Sequence, residues 1–373
     1  MRRALLLALA VMLCVPLVRF AVLRATERDV DRTTPRWHAR EEILSRGRVF
    51  VPDPPVIATL DLSVAPGEKE LIDREGNVSC RYVPKPTSGT TSKFDCQLEN
   101  GEIIKVKYGR SRERQGEIAA TRLLYALGFG ADRVMFVNRV RCAGCPLSPF
   151  KLRRAAEEFW ATRLLDLFID YDTFRDFHAV SIERKYDGRA VEVDTFEGWD
   201  WRELKLVDSS KGGATQADLD ALRLIAIFLG HWDNKSTNQR LACLGDTETT
   251  PDEASCRHPL LVLQDLGATF GPTKVNYEAW TAHPIWADER TCLVSMRSMP
   301  YEGILFPPTV ISEAGRALVA ERLTQLSTAQ IHALFASARF PDPATGAEPA
   351  ADLTPWVRTF EAKVRQIADR RCQ

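Results

Sequence analysis

The stretch TQADLDALRLIAIFLGHWDNKSTNQRLACL, residues 215–244, limits what this chain can become more than any other part of it. Thr215 and Asp218 stand in a capping-box arrangement, and Leu219, Leu222, Ala226 and Leu229 fall on one helical face. Gly230 ends the pattern, and HWDNKSTNQR, polar or charged at every position but Trp232, follows before the apolar run LACL. Asp, Asn and Ser favour loops by bonding their own backbone, so a structural turn is one reading of this segment. The other is a reactive loop delivered by a buried helix. Some thirty residues on, HPLLVLQDLGATFG reads as a buried strand delivering Asp265 into a turn.

The rest of the chain supplies a core large enough to hold such a loop. Of 373 residues, 45% are apolar and 27% charged, as in ordinary globular proteins. Lys plus Arg and Asp plus Glu both number 50, so the formal charge is zero. No basic field argues for a nucleic-acid partner, and none is expected. Partners have to be read from sites.

The first 23 residues carry two arginines and then the apolar stretch Ala4–Val18, interrupted by Arg19 and continued by Phe20–Leu23. This is the plan of a signal peptide or of an uncleaved membrane anchor, with the body on the non-cytoplasmic side: periplasm, exterior or secretory lumen. Eight cysteines follow this leader, an even number that reads as a disulfide framework. Cys80 with Cys96 and Cys243 with Cys256 are local pairings; Cys142 and Cys145, in C-x-x-C spacing, suit a disulfide, zinc or redox work.

Residues 24–74 read as a proline-bearing tether with one short helix at Ala39–Ser45. In 75–146, VSCRYV, SKFDCQL and EIIKVKYG are strand patterns, the last two joined by the turn signal ENG. A helix with Ile118, Leu123, Leu124 and Leu127 on one face follows, then the strand DRVMFVNRVRC. The expectation is a small antiparallel lobe carrying one helix. Residues 147–373 read as mainly helical, starting with SPFKLRRAAEEFWATRLLDLFIDY, and Asp187-Gly188 as the turn of a hairpin. The whole is of α+β class.

Polar residues on this scaffold match the needs of phosphoryl transfer: a lysine for phosphate oxygens, an acid to hold it, an Asp for the acceptor hydroxyl, and Asn and Asp for metal. Lys105 and Lys107 lie on one strand face, Glu117 on the next helix, then His231, Asp233, Lys235 and Asn238, then Asp265. His231-x-Asp233 followed by Asn238 has the H-x-D-x-x-x-x-N spacing of the protein-kinase catalytic loop, and Asp265-Leu266-Gly267 is similar to the D-x-G metal motif. With GTTSKF (Gly89–Phe94) ahead of the lysine strand, the chain resembles atypical kinase-fold families: HipA-like, spore-coat-type, secretory-pathway and phosphoinositide kinases.

That resemblance implies a two-lobed kinase-like fold using ATP and Mg²⁺ or Mn²⁺ on a protein or small hydroxylated acceptor. By it, Asp233 orients the hydroxyl, Asn238 and Asp265 bind metal, and Lys107 or Lys105 pairs with Glu117. Gly89, Thr90, Thr91 and Ser92 cover the phosphates, Lys235 touches the transferred group, and His231 completes the loop. The chain departs from the pattern in having no G-x-G-x-x-G loop and no A-P-E sequence. A silent kinase-fold binding module and an unrelated disulfide-rich exported domain are the competing readings. The remaining histidines form no H-x-x-x-H pair, and no G-x-S-x-G is present, which argues against zinc and serine hydrolases.

Overall fold

Strands whose every second residue is apolar must hide one face, and five of them here do so by closing on each other. The computed structural model describes residues 31–85, 89–158, 162–194, 196–245, 256, 258–297 and 306–372; the expected leader lies outside these. β1 (Asn77–Val83), β2 (Lys93–Gln97), β3 (Ile103–Lys107), β5 (Arg133–Ala143) and β6 (Phe174–Arg184) form a closed barrel in the order β1-β2-β3-β6-β5. Its interior is packed with Val78, Tyr82, Phe94, Ile104, Val106, Val140, Phe177 and Ile182. The β2–β3 hairpin turns at the expected ENG.

Three expectations fail here. The lobe is not purely antiparallel, because β1 and β5 run parallel, Cys80 opposite Cys142. The chain between them crosses over through α3 (Glu113–Ala126), and a crossover returns a strand in the same direction. The boundary at 146/147 also falls too early, since β6 is a barrel strand paired with both β3 and β5. The hairpin expected at Asp187-Gly188 does not form: β7 (Arg189–Ala190) leaves the barrel and pairs with β8 (Gln239–Cys243) in a second sheet, β4-β9-β8-β7. There β4 is Gly130–Ala131 and β9 Pro259–Leu263.

The segment 147–170 forms α4 (Pro149–Glu158) and α5 (Thr162–Leu167), with Leu152, Leu167 and Phe168 exposed. The remainder packs around α6 (Gln216–Leu229), the helix of the opening stretch, whose residues from Leu219 onward are all buried. The expected capping box of Thr215 with Asp218 is present, and Ser327 with Gln330 forms another. α8 (Glu313–Leu323), α9 (Thr328–Ser337) and α10 (Thr354–Ala368) enclose an aromatic cluster of Phe228, Phe270, Trp280, Phe335, Phe340 and Trp356. The class is mixed α+β.

Cysteines pair as Cys80–Cys96, Cys142–Cys145, Cys243–Cys256 and Cys292–Cys372. Both expected local pairings form, and the C-x-x-C is a disulfide whose Cys142 Sγ stands 3.7 Å from Cys96 Sγ. Four disulfides are compatible with a non-cytoplasmic location. Among the described residues no helix is long and apolar enough to cross a membrane.

The expected tether is the largest correction. Trp37, Ile43 and Leu44 of α1 (Pro35–Ser45) are buried, and residues on to Leu62 join the main core. Arg40, fully buried, reaches Glu203 with both terminal nitrogens at 2.8 and 2.9 Å and gives a further bond to the Gly198 carbonyl at 2.7 Å. Its partners lie about 160 residues away, so nothing local announces it. Gly198, at φ 71°, lies directly against the carbonyls of Ser236 and Gln239, where any Cβ would collide with backbone. The Trp-bearing insert (Trp199 and Trp201, both buried) thus connects α1 to the polar loop. Arg40→Met should cost about 3–5 kcal/mol by leaving the buried Glu203 carboxylate without a counter-charge. Urea unfolding checks this, and adding Glu203→Leu should recover a large part of the loss; a cost below about 1 kcal/mol would mean the pair is not what fastens α1.

Candidate active site

Period-two alternation that turns Phe94, Val106 and Ile182 into the barrel turns their neighbours outward, towards the second core. The outward residues are charged: Asp95 opposite Lys105, and Lys105 opposite Glu183, form one cross-strand row, with Lys93 and Lys107 in the next. α3 packs across this face and adds Glu117. On the same helix Gly116 lets the turn after Asp265 come close, since a Cβ there would stand 3.0–3.2 Å from Thr269 and the Gly267 carbonyl.

Lys107, 5% exposed, lies 2.5 Å from Glu117 and 2.9 Å from Glu183. Glu183 also binds Lys105 at 2.8 Å and Lys185 at 2.9 Å, and Lys185 reaches Asp132 at 2.9 Å. Burial works against the charge on Lys107, but Glu117 and Glu183 outweigh it and hold the lysine protonated. Burial likewise opposes ionisation of Glu183, and Lys105, Lys107 and Lys185 more than offset it, keeping that carboxyl well below the usual range. Glu117 is pushed up to about 7 by burial, against the pull of Lys107, with Glu183 and Asp265 adding like charge. The lysine of the pair is therefore Lys107; Lys105 serves Glu183.

The opposite wall is the polar loop. α6 ends at Gly230 in the left-handed conformation (φ 66°), and the chain turns into residues 231–238. The loop is braced by side chains: Asn238 gives its amide nitrogen to the Asp233 carbonyl, Gln239 bonds the Asn234 carbonyl at 3.1 Å, and Gln264 bonds the Thr237 carbonyl at 2.8 Å. Asp233 is half-buried and Lys235 exposed, 3.6 Å apart. Asp265 follows β9 and opens to the cleft. Enclosure by the walls pushes its carboxyl up, but Lys107, Lys93 and Lys105 prevail and hold it below the usual range. Leu266 is buried and anchors the turn.

A cleft of about 1030 Å³ gathers Gly89, Thr90, Thr91, Lys105, Lys107, Glu117, Asp233, Lys235, Asn238 and Asp265. The covering turn is held from both sides: Thr91 donates to Glu113, and Arg154 bonds the Gly89 carbonyl at 3.1 Å. Two expected residues stay out of the cleft. Ser92 spends its carbonyl on the Tyr108 N–H at 2.9 Å as the turn enters β2. His231 is fully buried beneath the loop with neither ring nitrogen hydrogen-bonded among the described residues, so it supports the loop and does not face a substrate.

Lys93, Glu183, Lys185 and Gln264 also line the cleft and were not expected from the sequence. The signal was there: charges at alternate positions on strands whose other face is apolar. With its nitrogen committed to the Asp233 carbonyl, Asn238 has its amide oxygen left for a ligand in the cleft that Asp265 also lines. Two hard oxygen donors of this kind fit Mg²⁺ or Mn²⁺ better than a soft metal.

No protein-family model matches the chain, and no curated protein does. Among solved structures it is similar to the Helicobacter pylori proinflammatory kinase CtkA, at 11% identity and a TM-score of 0.41, over 81% of this chain and 95% of that one. A likeness of this degree decides nothing about chemistry, which rests on the cleft itself.

Burial holds the His231 imidazole down to about 4 from the ordinary 6.5, against the opposing pull of Asp233 and Asp265. The unfolded chain then binds more protons below pH 6.5, so this contribution to stability is complete above 6.5 and lost as pH falls towards 4. His231→Leu should remove that dependence. The stability difference between the parent and the variant should shift by about 2 kcal/mol between pH 7 and pH 5, in the variant's favour at low pH. Urea midpoints at the two pH values test it; a constant difference would show that His231 titrates normally.

Proposed function

We propose that this chain is a two-lobed, kinase-like phosphotransferase that moves a phosphoryl group from a Mg²⁺- or Mn²⁺-bound nucleoside triphosphate, ATP being the expected donor, to a hydroxyl on a protein or small molecule. The observation that carries the reading is convergence: Lys107 of a strand, Glu117 of a helix, Asp233 and Asn238 of a loop and Asp265 after a second strand line one cleft. Chance polarity would scatter them.

The division of labour we propose draws on the placement of these residues in the cleft. Lys107, held charged between two acids, offers its ammonium to phosphate oxygens. Thr90 and Thr91 offer hydroxyls and backbone amides from the covering turn. Asp233, half-exposed, is the acceptor for the hydroxyl proton, and Lys235 beside it lends positive charge where the transferred group passes. Asn238 and Asp265 would hold the divalent cation, which when bound neutralises charge on the phosphates. Such a site works by positioning and charge compensation more than by covalent chemistry. The proposal sets the body on the non-cytoplasmic side, held to the membrane through residues 1–23 if the leader is retained.

Thermal and chemical unfolding with and without Mg²⁺ and ATP tests this. Nucleotide at about 100 times its dissociation constant should stabilise the parent by roughly 2.7 kcal/mol. Asp265→Ala should lose that gain, whereas Asp233→Asn should keep it and lose phosphate transfer to any acceptor, itself or water. No stabilisation of the parent at saturating nucleotide, with either cation, would sink the proposal. Stabilisation with no transfer would leave a binding module of the same fold.

A further inference from the structure

We infer that the cleft recognises its donor by the triphosphate chain and is indifferent to the base attached to it. This rests on the phosphotransferase reading and narrows it to a substrate class: any Mg²⁺-bound triphosphate, inorganic tripolyphosphate included.

A heterocycle that is to be selected needs two apolar surfaces for its faces and unspent hydrogen-bonding groups for its edge. Among the described residues the cleft offers little of either. Of the residues that line it, Trp232 and Ala268 are the apolar ones, and both lie on the loop side. The strand wall opposite, where a flat ring could be roofed, is the charged row Asp95–Lys105–Glu183, continued by Lys185. A base laid there would strip water from ion pairs and return no hydrogen bonds, which is costly for buried charges.

The edge is closed as well. Where the chain leaves the barrel for the second sheet, the Tyr186 N–H is taken by Asp132 at 2.8 Å. The carbonyls of Tyr186, at 2.6 Å, and of Gly188 are taken by Arg240. Lys185 completes the block by bonding Asp132 and Gln264 at 2.9 and 3.1 Å. With the Tyr186 N–H and the Tyr186 and Gly188 carbonyls engaged in this way, these three groups of the segment are turned to the protein and away from the edge of a purine.

Provision for phosphate is generous by contrast. Lys93, Lys107 and Lys235 line the same cleft as the covering turn and Asp265. Lys93 is largely buried, which leaves its ammonium in want of an anion. The cleft spends its polar groups on charge.

The test is isothermal titration of the full-length chain, disulfides formed, with the Mg²⁺ complexes of ATP, GTP, CTP, UTP and tripolyphosphate, and with adenosine. The five triphosphates should bind within about threefold of one another, and adenosine should not bind at millimolar concentration, roughly the weakest affinity the method reads. ATP binding at least about tenfold tighter than CTP and UTP, or adenosine binding alone, overturns the inference and leaves the phosphotransferase reading standing. Failure of every triphosphate, with Mn²⁺ in place of Mg²⁺ as well, overturns both.

Discussion

One buried ammonium group ties the molecule together. Lys107 belongs to a barrel strand, Glu117 to the helix that crosses the barrel, and Glu183 to the strand that carries the chain out of it. Removing such charges from water is expensive, and replacing a buried ion pair by apolar side chains often stabilises a protein. A chain that keeps one lysine between two acids, with a third acid, Asp265, close enough to raise Glu117, is holding an arrangement that packing does not need.

The barrel explains how so many charges can sit in one place without dissolving the fold. Its strands use one face for Phe94, Val106 and Ile182 and the other for Lys105, Lys107 and Glu183. A one-residue slip of β3 would put both lysines inside the barrel, so the hydrophobic pattern fixes the charged row as firmly as it fixes the core. The geometry of the cleft is inherited from packing that has nothing to do with it.

Local signals were legible in the sequence, and long-range ones were not. The capped α6, its stop at Gly230, the spacing from Asp233 to Asn238 and the β2–β3 hairpin each depend on residues a few positions apart, and each forms as read. The pairing of Glu183 with Lys105 spans 78 residues, and that of Arg40 with Glu203 spans 163. No period or turn residue encodes either. The parallel closure of β1 on β5 failed for the same reason, since strand direction is set by the crossover and not by the strands. His231 shows a subtler limit: its spacing placed it correctly in the loop, but only burial tells a support from a participant.

α1 gives the N-terminal side of the protein a mechanical role. From Thr34, which caps it, to Arg40, which grips Glu203 and the Gly198 carbonyl, there is no slack. Gly198 rests on the carbonyls of Ser236 and Gln239, inside the loop that bears Asp233 and Asn238. The grip of Arg40 on Glu203 and Gly198 therefore runs from α1 to the underside of the loop, and cutting the chain between 35 and 45 would take that buttress from the loop.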